Sequence, residues 1–259
     1  MQDSGETGVE LCDVLVIGGG PAGSTVATLL AERGRKVVML EKDTHPRFHI
    51  GESLLPQNLA LMERLGVLDE VARIGVHKPG AEFVSDEHGG KSVAFKFADG
   101  LDPAFTYSFH VRRSEFDELL FRNSQRRGVD AREGVRVTSV ELDPGNGSSV
   151  TAVDAWLDSP ARARAPLRRF DAAVRRSLDA FSWLIYRINR PVLRDLFMEP
   201  GNQLRMRDGL VSLLAGNTQG GFKHLLPVWA FKVTYHGLSL AARFGYRLRG
   251  GRLVRAAAA

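Results

Sequence analysis

The stretch that decides the fold is "DVLVIGGGPAGSTVATLLAERGRKVVMLEK", residues 13–42. It opens with a short, apolar and β-branched run that three glycines stop, a pattern typical of a buried parallel strand. Residues 21–34 begin with proline, carry apolar residues at helical spacing and end on glycine, which predicts a helix. Residues 36–42, "KVVMLEK", predict a second strand. The order strand, helix, strand indicates an α/β fold.

The glycines and one acidic residue give this unit a chemical meaning. Gly18, Gly20 and Gly23 form G-x-G-x-x-G between strand and helix: a tight turn, a close approach for a pyrophosphate, and close helix packing. Glu41, at the end of the second strand, can accept hydrogen bonds from both ribose hydroxyls. This order predicts dinucleotide binding, with a glycine-rich turn without ligand as the alternative, and it leaves NAD and FAD open. The predicted cofactor-binding residues here are Gly18, Gly20, Pro21, Ala22, Gly23, Glu41 and Lys42.

A second motif follows at residues 47–56, "RFHIGESLLP". The opening unit resembles FAD-dependent monooxygenases of the p-hydroxybenzoate hydroxylase type, and "RFHIGESLLPQNLALMERLGV" resembles flavin-dependent halogenases and their close relatives. The resemblance implies FAD as cofactor and places Gly51, Glu52 and Ser53 near the isoalloxazine ring. The alternative is a helix-capping turn, in which Ser53 caps and Pro56 stands at the first helical position.

A lysine follows in "KPGA", residues 78–81, which matches the Lys-x-Gly-Ala stretch of halogenases that act on phenolic or pyrrolic substrates. In that family the lysine is proposed to hold hypohalous acid, or to form a haloamine, beside the substrate. The resemblance therefore implies that Lys78 is the catalytic residue. An ammonium on a long stem can donate hydrogen bonds to an oxidant, and burial can depress its pKa. The alternative is a surface lysine in a loop.

Further elements are predicted downstream. Residues 91–99 and 105–111 alternate in polarity and predict antiparallel strands that cap a substrate space. Residues 111–129 predict a helix, and residues 133–142 another strand. The family resemblance implies that an arginine at the start of this helix reaches FAD, and that backbone of this strand lies near the adenine. The candidates are Arg112 or Arg113, with Arg112 as the prediction, and Val135.

The resemblance breaks after a predicted hairpin at residues 141–150. The family's substrate sheet and its second FAD motif are missing, which suggests an internal deletion near residue 151, and the chain resumes with a segment like the family's C-terminal helices. We therefore predict a truncated Rossmann-like FAD-binding domain (1–155) with an exposed sheet edge and weakened FAD affinity, and an α-helical region (156–259). One helix face of this region is predicted to pack in a core or an interface: Phe170, Val174, Leu178, Phe181, Ile185 and Ile188. Further helices are predicted from Pro191 and within 225–248.

Composition limits the other possibilities. A single cysteine, Cys12, excludes an intramolecular disulfide. No signal peptide or transmembrane run is apparent, so we expect a cytoplasmic protein. The net charge of +5 hides a basic C-terminal part, since residues 160–259 hold 18 Lys and Arg against 5 Asp and Glu. Such a segment can bind nucleic acid, an anionic membrane, an acidic partner or the acidic half of its own chain, or it can be a solvated face. No nucleic-acid-binding motif is present, so no nucleic-acid partner is expected.

The functional prediction is a halogenase-like, FAD-dependent oxidoreductase. The resemblance implies reduced FAD from a separate reductase, oxygen, halide and an electron-rich aromatic or pyrrolic substrate; no metal site is predicted. The enzymatic alternative is an FAD-dependent aromatic monooxygenase. The alternative from another class is a catalytically inactive remnant that acts as a binding protein.

Overall fold

The computed structural model describes residues 10–104, 106–140, 157–199, 201–218 and 222–255. The chain forms two compact units, and each is built from separated segments. The first unit contains Met1–Glu52, Leu65–Ile74 and Val111–Phe170; the second contains Ser53–Arg64, Gly75–His110 and Asp171–Ala259. These units interleave along the chain, so the division into 1–155 and 156–259 stays a prediction drawn from the sequence.

Strands and helices of the described residues are numbered separately, each set in chain order. The strands are β1 (Val14–Ile17), β2 (Val37–Leu40), β3 (Val76–Lys78), β4 (Gly80–Ser85), β5 (Lys91–Lys96), β6 (Ser108–His110), β7 (Asp130–Arg132), β8 (Tyr246–Arg249) and β9 (Arg252–Arg255). The helices are α1 (Pro21–Ala31), α2 (Gln57–Leu65), α3 (Leu68–Ile74), α4 (Arg113–Arg126), α5 (Pro160–Ile185), α6 (Pro191–Met198), α7 (Met206–Leu214) and α8 (Phe222–Arg243).

The first unit is organised around a parallel sheet in the order β1-β2-β7. β1 and β2 pair in register, with Val14 opposite Val37, and α1 connects them. This is the crossover that the sequence predicts, because parallel neighbours need a connection long enough to return to the same end of the sheet. Val16, Leu30 and Phe121 share a buried core that joins the sheet to α1 and α4.

Strand β1 is an edge strand of the parallel sheet within the described residues, and the sequence predicts an exposed edge without saying which strand forms it. Among the described strands it pairs with β2 alone. Its buried residue Val16 faces the core, whereas Leu15 and Ile17, whose side chains point the other way, remain 48% and 54% exposed. In a doubly wound fold both faces of the parallel sheet are covered. One face of β1 therefore lacks a covering layer within the part of the chain described.

The strand predicted at residues 133–142 is wrong in position. The third parallel strand is β7, which ends at Arg132, and residues 133–140 form no strand. Only the start of that stretch follows β2: the N–H of Val135 donates to the carbonyl of Glu41 at 2.9 Å. The alternating valines needed a pairing partner along their whole length, and 136–140 has no backbone partner of this kind among the described residues. The hairpin predicted at 141–150 lies outside the described residues.

The second unit combines antiparallel strand pairs with packed helices. β3 pairs with β6, and β4 pairs with β5. The antiparallel strands predicted at 91–99 and 105–111 are present in part: β5 ends at Lys96 and residues 97–99 form a 3₁₀ turn, while β6 covers only 108–110. Its core joins β5 to four helices, α5, α6, α7 and α8, through buried apolar residues that include Phe95, Leu184, Leu193, Phe197, Leu210 and Phe231.

Helix α5 is present where the sequence predicts it, but much of its predicted apolar face is open. Phe170, Val174, Leu178 and Ile185 are between 37% and 63% exposed. Ile188, just beyond the helix, packs partly against the core of the second unit. Core packing is therefore wrong for four of the six residues. Packing of these four in an interface remains a prediction.

The basic C-terminal part pairs with acidic residues of its own chain. Arg194 lies 2.9 Å from Glu87, Arg207 lies 3.5 Å from Asp99, and Arg247 lies 3.8 Å from Glu87. Three of its arginines thus contact acids from the N-terminal half, and the role of the segment as a whole remains a prediction. No helix of the described ranges is long and apolar enough to cross a membrane.

Candidate functional site

The turn between β1 and α1 needs two of its three motif glycines for the fold itself. Gly18 has a φ of +102°, a conformation that other residues rarely adopt. A Cβ added at Gly23 would lie 1.9 Å from the carbonyl oxygen of Gly18. At Gly20, in contrast, an added Cβ would meet nothing nearer than the Arg47 Nη2 atom, at 3.5 Å. The fold leaves Gly20 free of intramolecular constraint, which fits a role in letting a ligand approach the backbone.

Glu41 links this glycine turn to the residues that follow β2. It is only 3% exposed, and its Oε2 accepts hydrogen bonds from the N–H of Gly19 at 2.7 Å and from Arg47 Nη2 at 3.1 Å. Its Oε1 accepts one from the N–H of Asp43 at 3.0 Å. A carboxylate offers about four lone-pair sites. Three are used here, so one remains for a ribose hydroxyl, fewer than the two that the sequence suggests.

The hydrogen bonds to Glu41 also set its ionisation. Burial alone would raise the pKa of this carboxyl, but the donors Asp43 and Gly19 and the charge of Arg47 outweigh burial and lower the pKa below the ordinary 4.5. The carboxylate form is therefore the one that the folded protein stabilises. This stabilisation is present above the ordinary pKa and is lost as the pH falls through the lower, folded-state pKa.

Replacing Glu41 by glutamine is expected to lower the free energy of unfolding by about 2 kcal/mol at pH 7, because charge-assisted hydrogen bonds to buried donors are lost. The difference from the wild type should shrink as the pH falls below 4.5 and the wild-type carboxyl takes up a proton. Urea unfolding at several pH values measures both. Glu63→Gln, on the exposed face of α2, is the control. A difference that does not change with pH would contradict the ionised role of Glu41.

A cavity of about 310 Å³ lies beside this carboxylate in the first unit. Four of the residues predicted to bind a cofactor line it: Gly18, Glu41, Lys42 and Val135. They come from the glycine turn, the end of β2 and the segment after β7. The edge of the parallel sheet at the carboxyl ends of its strands therefore brings residues far apart in the sequence together, as in other open α/β sheets.

The cavity also has lining residues that sequence reasoning did not single out. Arg47 and Arg136 add positive charge to that of Lys42, opposite the carboxylates of Glu41 and Asp43, and His49 lines the cavity as well. Arg47 pairs with Glu41 and its Nη1 lies 3.8 Å from Asp117. The signal for Arg47 and His49 was available, because both stand in the motif 47–56, within four residues before its glycine. Positive charge at this wall suits the phosphate groups of a dinucleotide.

The Gly-Glu-Ser loop is held from the start of α4. Gly51 has a φ of +108°, and Arg113 donates to the carbonyl of Ile50 at 2.8 Å. Arg113 is fixed by Asp117, with Nε–Oδ1 at 2.7 Å and Nη2–Oδ2 at 3.0 Å. These bonds raise the pKa of Arg113 above its ordinary value. Of the two arginines considered, Arg113 therefore contacts the loop.

Arg112, the predicted cofactor residue, points away from this loop. Its side chain is 82% exposed and pairs with Glu115 at 2.9 Å, one turn along α4. Adjacent residues at a helix start face different directions, so a spacing pattern could not choose between the two. The predicted contact of Arg112 with FAD stays a prediction, and the geometry favours Arg113 in its place.

Ser53 does not cap the helix that follows it. α2 begins at Gln57, so Pro56 precedes the helix and Ser53 lies four residues before its first residue. Ser53 instead forms a β-bridge with His110 of β6. The helix-capping alternative is therefore wrong for Ser53. Gly51, Glu52 and Ser53 are all exposed, which leaves them accessible to a bound ring.

Lys78 is fixed on a strand and is not a loop lysine. It ends β3, is half-buried, and its Nζ donates a hydrogen bond to Ser53 Oγ. The ammonium also lies 5.4 Å from the centre of the Phe97 ring. Burial lowers the pKa of Lys78. A lysine held in this way can donate hydrogen bonds and reach its free-amine form at a lower pH than a solvated lysine.

The fold and the cavity of the first unit define a dinucleotide-binding α/β protein. A sequence model of the FAD binding domain family matches residues 11–156, more than half of the chain, and the chain belongs to that family. The open question between NAD and FAD is thereby answered in favour of FAD.

Several proteins similar to the chain are flavin-dependent halogenases. The chain is 44% identical over 130 residues to a tryptophan 2-halogenase of Chondromyces crocatus, covering 50% of this chain and 24% of the relative. It is 41% identical over 152 residues to a flavin-dependent halogenase of Penicillium aethiopicum, covering 58% and 28%. A solved myxobacterial chondrochloren halogenase is 38% identical, with 52% and 31% covered and a TM-score of 0.48. The chain thus spans about a quarter of the length of these curated relatives.

The described residues fit the adenosine end of FAD. The Gly18 turn closes tightly and Gly20 is open to approach. Glu41 keeps one acceptor site for a ribose hydroxyl, and the cavity wall carries Arg47 and Arg136. These features supply what a dinucleotide requires of such a turn: space at the backbone, a hydroxyl acceptor and positive charge.

Proposed function

We propose that this chain is a halogenase-like, FAD-dependent oxidoreductase that halogenates an electron-rich aromatic or pyrrolic substrate. One observation carries the proposal: Gly18, Glu41 and Lys42 of the first motif line a single cavity together with Val135, predicted from a distant segment, in a chain of the FAD binding domain family. The relatives named above support the halogenase assignment.

In this proposal each group of residues has its own task. Gly18, Gly20, Pro21, Ala22 and Gly23 form the turn that binds the pyrophosphate at the N-terminus of α1, and Glu41 holds the ribose. Arg113 holds the carbonyl of Ile50, directly before the loop that borders the flavin ring. Reduced FAD, supplied by a separate reductase, would furnish with oxygen and halide the hypohalous acid that the reaction consumes.

Lys78 is proposed to hold that hypohalous acid by hydrogen bonding. Its ammonium has three N–H donors and Ser53 takes one, so the others can bind an oxidant. Donation to the oxygen makes the halogen more electrophilic, which favours attack by an electron-rich ring. The lowered pKa of Lys78 leaves the free amine accessible as well, as a haloamine route requires.

The test is product formation with halide as the variable. The purified chain, a flavin reductase, FAD and a phenolic or pyrrolic substrate are incubated in air with bromide, with chloride or with neither. Mass spectrometry should detect a halogenated product only when halide is present. A hydroxylated product that forms equally without halide would show an aromatic monooxygenase instead.

A binding protein without catalysis is the second candidate, and one feature favours it. Apolar side chains stay exposed on α5, among them Leu178 at 59% and Ile185 at 63%, and on β1. Patches of this kind mark interaction surfaces in many proteins. Two results together would support this candidate over the enzyme: flavin binding without halogenated or hydroxylated product, and a stable complex between the chain and a partner protein.

A further inference from the structure

Three short extended segments of the second unit lie side by side, and Lys78 belongs to one of the outer two. β6 is in the middle: it pairs antiparallel with β3 on one side, and Ser53 forms a β-bridge to it on the other. The N–H of Leu54 adds a hydrogen bond to the carbonyl of Phe109 at 3.0 Å. The Gly-Glu-Ser loop therefore ends as a third strand position next to β6.

The register puts Lys78 and Ser53 on the same face of this arrangement. Lys78 stands directly opposite Ser108, and His110 stands opposite both Val76 and Ser53. Residues directly opposite each other, and residues two apart on one strand, share a face. Lys78, Ser108, His110 and Ser53 are accordingly on one face, with β6 between the lysine and the serine.

The lysine side chain therefore crosses β6 to reach its partner. Neighbouring strands are about 4.8 Å apart, so Lys78 and Ser53 are separated by roughly two such spacings, a distance that the long lysine stem helps to span. Ser108, the residue opposite Lys78, is small and fully buried, and its Oγ has no hydrogen-bond partner among the described residues. At the end of this path the Lys78 Nζ donates to Ser53 Oγ.

We propose that Ser53 is a positioning residue that fixes the Lys78 ammonium, so that the place of the lysine is tied to the place of the Gly-Glu-Ser loop. This inference rests on the proposed function for its meaning in catalysis. It gives Ser53 a task other than the flavin contact predicted from the sequence. A hydroxyl oxygen that accepts from an ammonium stabilises the charged form and limits the rotamers of the stem.

Competitive labelling of lysines with acetic anhydride, followed by mass spectrometry, tests this without cofactor, halide or substrate. Only the free amine reacts, so the rate at Lys78 reports its ionisation and accessibility. Ser53→Ala should raise that rate by about threefold to tenfold at slightly alkaline pH, because the ammonium loses an acceptor. Ser53→Thr, which keeps the hydroxyl, should restore the wild-type rate.

Two internal controls make the comparison specific. Lys232 lies in the same unit, and burial lowers its pKa as it does that of Lys78. The other groups that shift its pKa are Arg187 and Asp179, not Ser53, so its labelling rate should be the same in all variants. Ser92→Ala removes an exposed serine hydroxyl on β5 and should leave Lys78 unchanged. Ser53 is exposed, so its alanine variant is expected to fold; Ser53→Cys, with a weaker acceptor, replaces it if a thermal melt shows otherwise.

Equal labelling of Lys78 in the wild type and in Ser53→Ala would overturn the inference. A change that threonine does not restore would overturn it as well, because loop disturbance rather than the hydroxyl would then be responsible. Failure of the proposed function gives a different result. In that case the labelling change persists, while the halide-dependent product is absent from the wild type.

Discussion

Replacement of Gly23 by alanine is expected to abolish FAD binding and to lower the free energy of unfolding by about 3 kcal/mol. The new Cβ would lie 1.9 Å from the carbonyl oxygen and 3.1 Å from the carbonyl carbon of Gly18. Both are backbone atoms, so the conflict cannot be relieved by rotating a side chain. Either α1 moves away from β1 or the Gly18 turn opens. Urea unfolding measures the stability, and titration with FAD measures the affinity.

Gly20→Ala is the matched control on the same turn. Its Cβ has the Arg47 Nη2 atom at 3.5 Å as its nearest neighbour, and its φ of −74° suits alanine. The free energy of unfolding without FAD should change by less than about 0.5 kcal/mol. FAD affinity should nevertheless fall about tenfold or more, since a side chain then stands where the pyrophosphate approaches. Equal stability and equal affinity of the two variants would contradict this account of the turn.

Replacement of Lys78 by alanine is expected to reduce halogenated product about a hundredfold or more, the scale of a lost proton or hydrogen-bond donor in catalysis. Oxidation of reduced FAD by oxygen should continue at the wild-type rate, because Lys78 acts in the proposal only after hypohalous acid has formed. Product detected by mass spectrometry and flavin oxidation followed by absorbance separate the two steps.

Lys96→Ala provides the control for this prediction. Lys96 ends β5 in the same unit, but its side chain is exposed. Product formation should therefore stay within about twofold of the wild type. If Lys78→Ala also retained wild-type product formation, Lys78 would have no part in the mechanism. Its hydrogen bond to Ser53 would then have no catalytic meaning.

The sequence was most informative where structure depends on near neighbours. The crossover from β1 through α1 to β2 could be predicted because strand pattern, glycine positions and helix spacing all act within about 30 residues. Glu41 follows from the same local order. The structure adds that Gly19 and Asp43 donate to Glu41, and backbone donors of this kind leave no mark in a pattern of side chains.

Prediction failed where pairing between distant segments decides the structure. The alternating valines after residue 133 have the pattern of a strand, yet a strand forms only with a partner, and the described residues provide none beyond the contact of Val135 with Glu41. The apolar face of α5 shows the same limit. Spacing identifies Leu178 and Ile185 as one face, but not whether another element covers it.

The residues of the candidate site also fall into those that local sequence predicts and those that depend on contacts between distant segments. Gly18, Glu41 and Lys42 were available from the sequence, because a local order of residues places them at the end of adjacent strands. The choice between Arg112 and Arg113 was not, since it depends on which side chain turns toward Ile50 and Asp117. The link between Lys78 and Ser53 joins residues 25 apart through a third segment, and neither motif alone predicts it.

The measurement that tests the central claim most directly is an equilibrium titration of the purified chain with FAD, followed by the change in flavin absorbance. We expect a saturable change with one FAD bound per chain, because the residues of the first unit form a cavity suited to the adenosine end. Circular dichroism of the same sample shows that the chain is folded. A folded chain that gives no saturable change would contradict the claim, and membership of the FAD binding domain family would then describe descent without cofactor binding.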